Sequence, residues 1–271
     1  MIGSALRKRR VIALAAVFGA TCAARPAAQT RPLQTEEAHT APKGRIVLEA
    51  GAAFMDAEPN FRTGQPRQRW DVPVLNVVFS PAANVEVDVE WVGRVIAVDD
   101  PRFGSVSDFG DVTLRSKFRL LDEYKSRPAV ALRFGVTLPE TSAEKGLGPN
   151  MLRMQAQALA SKSFDRLSLH ANAGFAIQDV PLAENLQSDF LAYGVAAVYA
   201  LAEKVDVLVE GAGLVGHAHR GADQRNEVRA GLRYGGKGRL RWDAALRRGL
   251  SEADGTWGFT AGLTWIAKEP R

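Results

Sequence analysis

Residues 85–91 read Val-Glu-Val-Asp-Val-Glu-Trp, an unbroken alternation of apolar and acidic side chains. A strand sends successive side chains to opposite faces, so this run has one apolar face and one charged face. The period of two recurs along the chain. Val112, Leu114, Phe118 and Leu120 alternate with Thr113, Arg115, Lys117 and Arg119. Leu167, Leu169, Ala171, Ala173 and Phe175 alternate with Ser168, His170 and Asn172, and Trp257, Phe259, Ala261, Leu263 and Trp265 with Gly258, Thr260, Gly262 and Thr264. Read throughout in this way, the chain is all-β, with about twelve strands near 44–55, 70–79, 85–97, 108–120, 128–138, 151–163, 167–178, 188–200, 204–215, 224–234, 239–249 and 256–266. Most match the ~9–11 residues a tilted strand needs to cross a bilayer and exceed the ~5–6 usual in soluble sheets.

The connections separate a membrane barrel from a soluble one. Long connections rich in Pro, Gly and charge (56–69, 98–107, 139–150, 179–187, 216–223 and 251–255) alternate with short ones at 80–84, 121–127, 164–166, 201–203 and 235–238. Outer-membrane barrels pair long extracellular loops with short periplasmic turns. An even strand count returns both termini to the periplasmic side and lets the sheet close, leaving no unpaired edge in lipid. Aromatic residues collect near both strand ends: Phe118, Tyr199, Tyr234, Trp242 and Trp265 at one, Phe54, Phe175 and Trp257 at the other. Such rings fit interfacial girdles. The expectation is an antiparallel up-and-down transmembrane β-barrel in the outer membrane of a Gram-negative cell. Alternation alone also permits a soluble periplasmic barrel with its apolar faces turned inward.

The 271 residues are 46% hydrophobic and 24% charged, as in a folded domain. At the N-terminus a basic cluster, Arg7 to Arg10, precedes an apolar run from Val11 to about Ala24 and then small residues. This order is that of a secretory signal peptide, assigned to 1–28. Residues 29–43 are polar, contain prolines and show no period, and are expected to form a flexible periplasmic leader. The barrel is assigned to 44–267 and a tail to 268–271. Cys22 is the only cysteine and falls inside the signal, so thiolate and disulfide chemistry are not expected of the mature chain. The net charge of +5 comes partly from the signal cluster, and the remainder is mixed in sign, which argues against a nucleic-acid partner.

With apolar faces in lipid, the polar faces line a lumen dense in opposite charges. The candidate lining comprises Glu86, Asp88, Glu90, Arg94, Arg115, Lys117, Arg119, Arg133, His170, Asp206, Glu210, Arg229, Arg233, Arg241 and Asp243. These charges can shape selectivity or brace the wall by cross-strand pairing. Pairs of Glu86, Asp88 or Glu90 with Arg115, Lys117 or Arg119 are expected, and Arg229 and Arg233 stand against Asp243 in the same sense. Signals for catalysis are weak. His170-Ala171-Asn172-Ala173-Gly174 lacks the serine that outer-membrane phospholipases carry two residues after their histidine, so no enzyme is expected. His217 and His219, with Asp223 nearby, lack a placed third ligand, and 235–238 is a turn rather than a phosphate cradle, so neither a metal nor a cofactor is expected.

The segments GDVTLRSKFRLLDE (110–123), RPAVALRFGVTLP (127–139), LASKSFDRLSLHANAGFAI (159–177) and EVRAGLRYGGKGRLRWDAALRRGLSEADGTWGFTAGLTW (227–265) resemble the "MetA-pathway of phenol degradation" family over roughly 44–266. The resemblance implies an outer-membrane barrel linked to uptake of small, including aromatic, compounds, and it carries no site residues. Expected partners are outer-membrane lipid, the barrel assembly machinery, with Trp265 near the chain's end as its aromatic signal, and a small-molecule solute. Channel or transporter is the leading expectation. The alternatives are a structural or adhesive barrel with a salt-bridged closed lumen, and a soluble ligand-binding barrel.

Overall fold

The computed structural model describes residues 31–183, 185–236 and 238–267; the expected signal peptide at 1–28 and the tail at 268–271 lie outside these. Among the described residues the chain forms β1 (Ile46–Pro59), β2 (Pro66–Ala82), β3 (Val85–Val92), β4 (Val95–Asp100), β5 (Gly104–Asp108), β6 (Val112–Leu121), β7 (Ala129–Leu138), β8 (Arg153–Phe164), β9 (Leu167–Asp179), β10 (Gln187–Ala202), β11 (Val205–Gly216), β12 (Arg225–Tyr234), β13 (Leu240–Gly249) and β14 (Trp257–Ile266). All pairings are antiparallel, and β1 pairs with both β2 and β14, which closes the sheet. β3 and β4 are two halves of one stave, both against β2, while β5 and β6 are halves of the next. The molecule is therefore a closed twelve-stave, all-β barrel, as the alternation predicts.

The apolar face points outward. Val77, Val87, Val89, Leu114, Phe134, Leu169, Val195, Val209, Leu232 and Leu246 are exposed, whereas Asn76, Glu86, Asp88, Lys117, Arg133, Glu210 and Asp243 are buried inside. A water-soluble barrel requires the reverse, because exposing this much contiguous apolar surface to water is strongly unfavourable. The outer surface is thus a lipid-facing one and the protein is an outer-membrane barrel. Phe54 is the exception among the ring residues. It is buried beneath Trp70, Trp257 and Phe259, with ring centroids 4.7, 5.4 and 5.6 Å away, and clasps the seam where β1 meets β14.

Three neighbouring staves bend at one level. The β1–β2 register slips between Gly51 and Ala53, and the next two staves break at 93–94 and 109–111. Gly93 N–H donates to Pro73 O (2.7 Å) and Gly110 N–H to Val92 O (2.9 Å), so the bulges abut. A bulge shifts the inward–outward alternation by one residue. Glu86, Asp88 and Val92 face inward below the break; above it Val95 and Ala97 are buried.

One expectation is overturned here. Residues 31–43 are not a flexible leader: they fold into the lumen, where Leu33, Thr35, Glu36, Ala38, Thr40 and Ala41 are buried. The physical reason is that the inner wall offers carboxylates and hydroxyls at heights that satisfy this segment's backbone N–H groups, as described below.

Candidate functional site

The charged wall is built by register. Glu86 stands opposite Lys117 and Asp88 opposite Arg115, while Glu90 faces Thr113. Lys117 Nζ lies 2.7 Å from Glu86, and Arg115 reaches Asp88 at 2.8 Å and Glu90 at 3.0 Å. Arg133, one stave further, adds a second bond to Asp88 at 3.3 Å. Arg119 takes no part in this ladder: it donates to Ala83 O (2.8 Å) and pairs with Asp122 (3.1 Å) at the short-turn rim. Arg94 is a correction. It sits in the 93–94 break, which removes it from the inward alternation, and lies exposed over the Phe109 ring, 5.5 Å from its centroid.

On the far side of the lumen, Glu210 faces Arg229, Asp206 faces Arg233, and Arg233 faces Asp243 in register. Arg229 contacts both Glu210 (3.6 Å) and Glu227. Arg241 Nε reaches Gly238 O at 3.4 Å, beside the short turn.

Residues 31–43 travel around this interior as a plug. The Arg31 guanidinium lies on a bare patch of wall made by Gly51 and Gly262, where any Cβ would overlap it. There Nη2 donates to Thr260 Oγ1 and Ala261 O, both at 2.9 Å, and lies 3.5 Å from Asp243. Arg229 and Arg233 donate to the carbonyls of Pro32 (2.7 Å) and Arg31 (2.8 Å). The N–H groups of Gln34 and Thr35 donate to Glu210 at 2.9 and 2.8 Å. Glu36 pairs with Lys117 (3.4 Å) and with Arg133. Ala38 N–H donates to Ser161 Oγ (2.8 Å), Thr40 Oγ1 to Ala83 O (2.6 Å) and Ala41 N–H to Glu86 (2.6 Å). A buried carboxylate is costly unless hydrogen-bonded, so wall and plug satisfy each other.

Above the plug lies a cavity of about 580 Å³, floored by residues 31–36 and walled by Arg69, Asp71, Arg115, Arg153, Gln155, Arg225 and Arg247 among others. The long loops fold over it. Arg67 forms a buried pair with Asp100 (3.1 Å) and donates to Gly146 O (2.6 Å), while Asn60 Nδ2 donates to Asp100 (2.8 Å). Gln178 Nε2 donates to Gly221 O at 2.8 Å on the other side. Phe61, Thr141 and Gly221 from these loops reach the cavity.

His170 belongs to the plug's seat. Its Nδ1 is 2.9 Å from Ser161 Oγ, the same oxygen that accepts the Ala38 N–H. The Asn172 amide, oriented so that both its ends are satisfied, brackets the Glu36 backbone, giving a bond to its O (2.9 Å) and taking one from its N–H (2.8 Å). In the outer loop His217 and His219 meet edge to face at 4.8 Å, and His219 Nδ1 lies 3.0 Å from Ser188 Oγ. Among the described residues, no three His, Cys, Asp or Glu side chains converge as a metal site would require.

Strand-period reading missed Arg31, Leu33, Thr35 and Glu36, since the plug has no period. A signal for them was present in the wall. Gly51, Gly194 and Gly262 occupy inward positions of long strands, and a strand glycine marks close approach of another group. A Cβ at Gly194 would lie 2.5 Å from Thr35 Oγ1, and one at Gly262 would lie 2.6 Å from Arg31 Nε.

Comparison with known proteins agrees with this architecture. The model of the family described as MetA-pathway of phenol degradation matches residues 30–267. Among solved structures, the COG4313 outer membrane channel from Pseudomonas putida F1 superposes with a TM-score of 0.62 at 13% identity, covering 84% of this chain and 97% of that one. The translocator domain of the autotransporter NalP from Neisseria meningitidis gives 0.49 at 8% identity, covering 82% and 86%. Outer membrane phospholipase A from Escherichia coli gives 0.47 at 9% identity, covering 91% and 99%. At 13% identity the likeness to the COG4313 channel is one of fold. No curated protein sequence matches the chain significantly.

Proposed function

The chain belongs to the MetA-pathway of phenol degradation family, and on that premise we propose that this barrel passes small solutes, aromatic or hydrophobic ones among them, across the outer membrane. The observation that carries the reading is the cavity of about 580 Å³ between loops and plug. Its size is that of a small-molecule site, typically ~300–1,000 Å³. The plug below it is not a strand of the sheet. It is held by separate hydrogen bonds and ion pairs, each of which can exchange for water. Passage therefore requires that residues 31–41 shift, and the charges beneath them become the lining.

Transport is favoured over catalysis by the use of the Ser161–His170 pair, which is spent on the Ala38 N–H. A closed structural or adhesive barrel is the second reading, favoured by the ion-paired lower lumen and the tightly bonded loops. Planar-bilayer recording and liposome swelling of the purified full chain separate the two. Small discrete conductance steps, with entry of uncharged small solutes into liposomes, are expected. A sealed barrel both with and without residues 31–41 would overturn the transport reading.

A further inference from the structure

The lumen is not charged all round. The inward face of β10 runs Phe190, Ala192, Gly194, Ala196, Val198 without an ionisable group, while its outward face carries Leu191, Tyr193 and Val195. Among the described residues this is the one stave apolar on both sides, between Phe190 and Val198, although nothing in barrel closure demands an apolar inner face there. At the lower end Ala196 and Val198, with Leu208 of β11, are covered by Leu33 of the plug. At the upper end Phe190, Ala192 and Gly194 border the cavity, with Ala212 and Leu214 beside them.

We propose that the inward face of β10 is a binding track for the apolar body of a small amphipathic solute, and that Leu33 occupies the track's lower end in competition with it. The inference deepens the transport reading and rests on it. The occupant's chemistry follows from what already sits there: an aliphatic side chain fills the lower end, and the same surface continues upward into the cavity. The rest of the solute must be polar. Elsewhere on the cavity wall stand Arg153, Gln155 and Arg115, and a wholly apolar guest would strip water from them without replacing its hydrogen bonds. A solute moving inward along β10 meets Thr35, whose Oγ1 covers Gly194, and then Leu33, the first apolar plug side chain on that face, so its arrival and the plug's departure are coupled by exclusion.

Alternation supplies an internal control. On β10 the even-numbered residues 190–198 face the lumen and the odd-numbered 191–199 face lipid. The full chain in lipid nanodiscs is photolabelled with a diazirine-bearing octanol, and adducts are mapped residue by residue. Saturable labelling at Phe190 and Ala192 is expected in the native chain. In Leu33→Ser it spreads to Ala196 and Val198, at about tenfold lower probe concentration, since burying one leucine is worth at least that factor. Ala192→Asp abolishes the even-numbered labelling and leaves the odd-numbered unchanged. Leu33→Ser alters only the plug, so it remains informative if Ala192→Asp fails to fold. Adducts confined to odd positions in every form would overturn the track, and labelling indifferent to Leu33→Ser would overturn the competition. Conductance of the same preparations reports separately on transport: steps without even-numbered labelling sink the track alone, and even-numbered labelling without steps upholds the track while sinking transport.

Discussion

The two halves of the lumen carry the same kinds of charge and satisfy them differently. In the periplasmic half, Glu210 and Glu86 accept hydrogen bonds from backbone N–H groups of the chain's own N-terminal segment. In the outer half, Asp111 pairs with Arg153 (3.1 Å), and Asp71 and Glu58 with Arg69 (2.8 and 3.3 Å), all from strand residues or their edges. The lower half draws partners from a peptide inside it; the upper half draws them from its own wall and loops while leaving a cavity. Wall chemistry, rather than strand pattern, thus divides a place built for a plug from a place built for a solute.

The largest effect on this division comes from removing residues 32–42. Several-fold larger conductance steps are expected in planar bilayers, because Glu86, Glu210 and Lys117 then hydrate and line an open passage. The outer half is expected to keep its ion pairs, so the barrel remains heat-modifiable on gels. Equal conductance with and without the segment would mean that the halves are not divided by the plug.

Asp88→Lys strikes the wall beneath it. Asp88 is bonded to Arg115 at 2.8 Å and Arg133 at 3.3 Å, and reversing its charge leaves three cations together. Breaking such a buried pair costs about 3–5 kcal/mol, read as a drop in the unfolding midpoint. Arg115→Glu is expected to restore much of it. Arg119→Glu is not, since Arg119 faces Asp122 and the Ala83 carbonyl instead.

Gly262→Val is a smaller and more selective break. Its side chain enters the space of the Arg31 guanidinium, so the plug is unseated at one end while the wall's pairing persists. Conductance between that of the native and the deleted forms is expected, with faster hydrogen exchange at the Gln34 and Thr35 amides that Glu210 holds. In the outer half, Arg153→Glu meets no such constraint, its side chain being 43% exposed to the cavity. It should shift cation–anion selectivity and, by setting a second carboxylate beside Asp111, lower stability by about 1 kcal/mol, as loss of a partly exposed ion pair does.

Much of the fold was legible because the bilayer enforces it. Every stave must alternate, and loops must sort by side, so runs such as 85–91 and 257–265 read directly. Their limits were least legible at the long-loop ends, where β1 and β2 extend to Pro59 and from Pro66 against expected limits of 55 and 70. The site was legible by halves. Lumen charges follow from alternation once the outward face is known, but Arg94 escaped because a bulge at 93–94 leaves no mark in a period of two. The plug escaped because its structure is dictated by its partners: residues 34, 35, 38 and 41 are placed by acceptors on β11, β8 and β3 rather than by each other.

The smallest expected effect tests how the plug is tied to the periplasmic rim. Glu123, in the turn after β6, accepts bonds from Lys162 Nζ (2.7 Å) and Ser163 N–H (3.0 Å), and lies 3.6 Å from His39 of the plug, whose ring is also 3.9 Å from Glu37. Burial works to raise this carboxyl's pKa, but the Lys162 and Ser163 hydrogen bonds and the Lys162 charge prevail and hold it below the usual glutamate range. A depressed carboxylate contributes stability that is present at neutral pH and lost as pH falls through its folded value, so this tie slackens only in acid, below the usual glutamate range. Hydrogen exchange at the Ala38 and Ala41 amides, corrected for intrinsic rate, should therefore quicken on going from pH 7 to pH 3.5. The informative quantity is the difference made by Glu123→Gln. That variant should exchange slightly faster than the native chain at pH 7 and converge with it as pH falls through the carboxyl's folded value. A gap that stays constant through that fall would show that Glu123 holds the turn and not the plug.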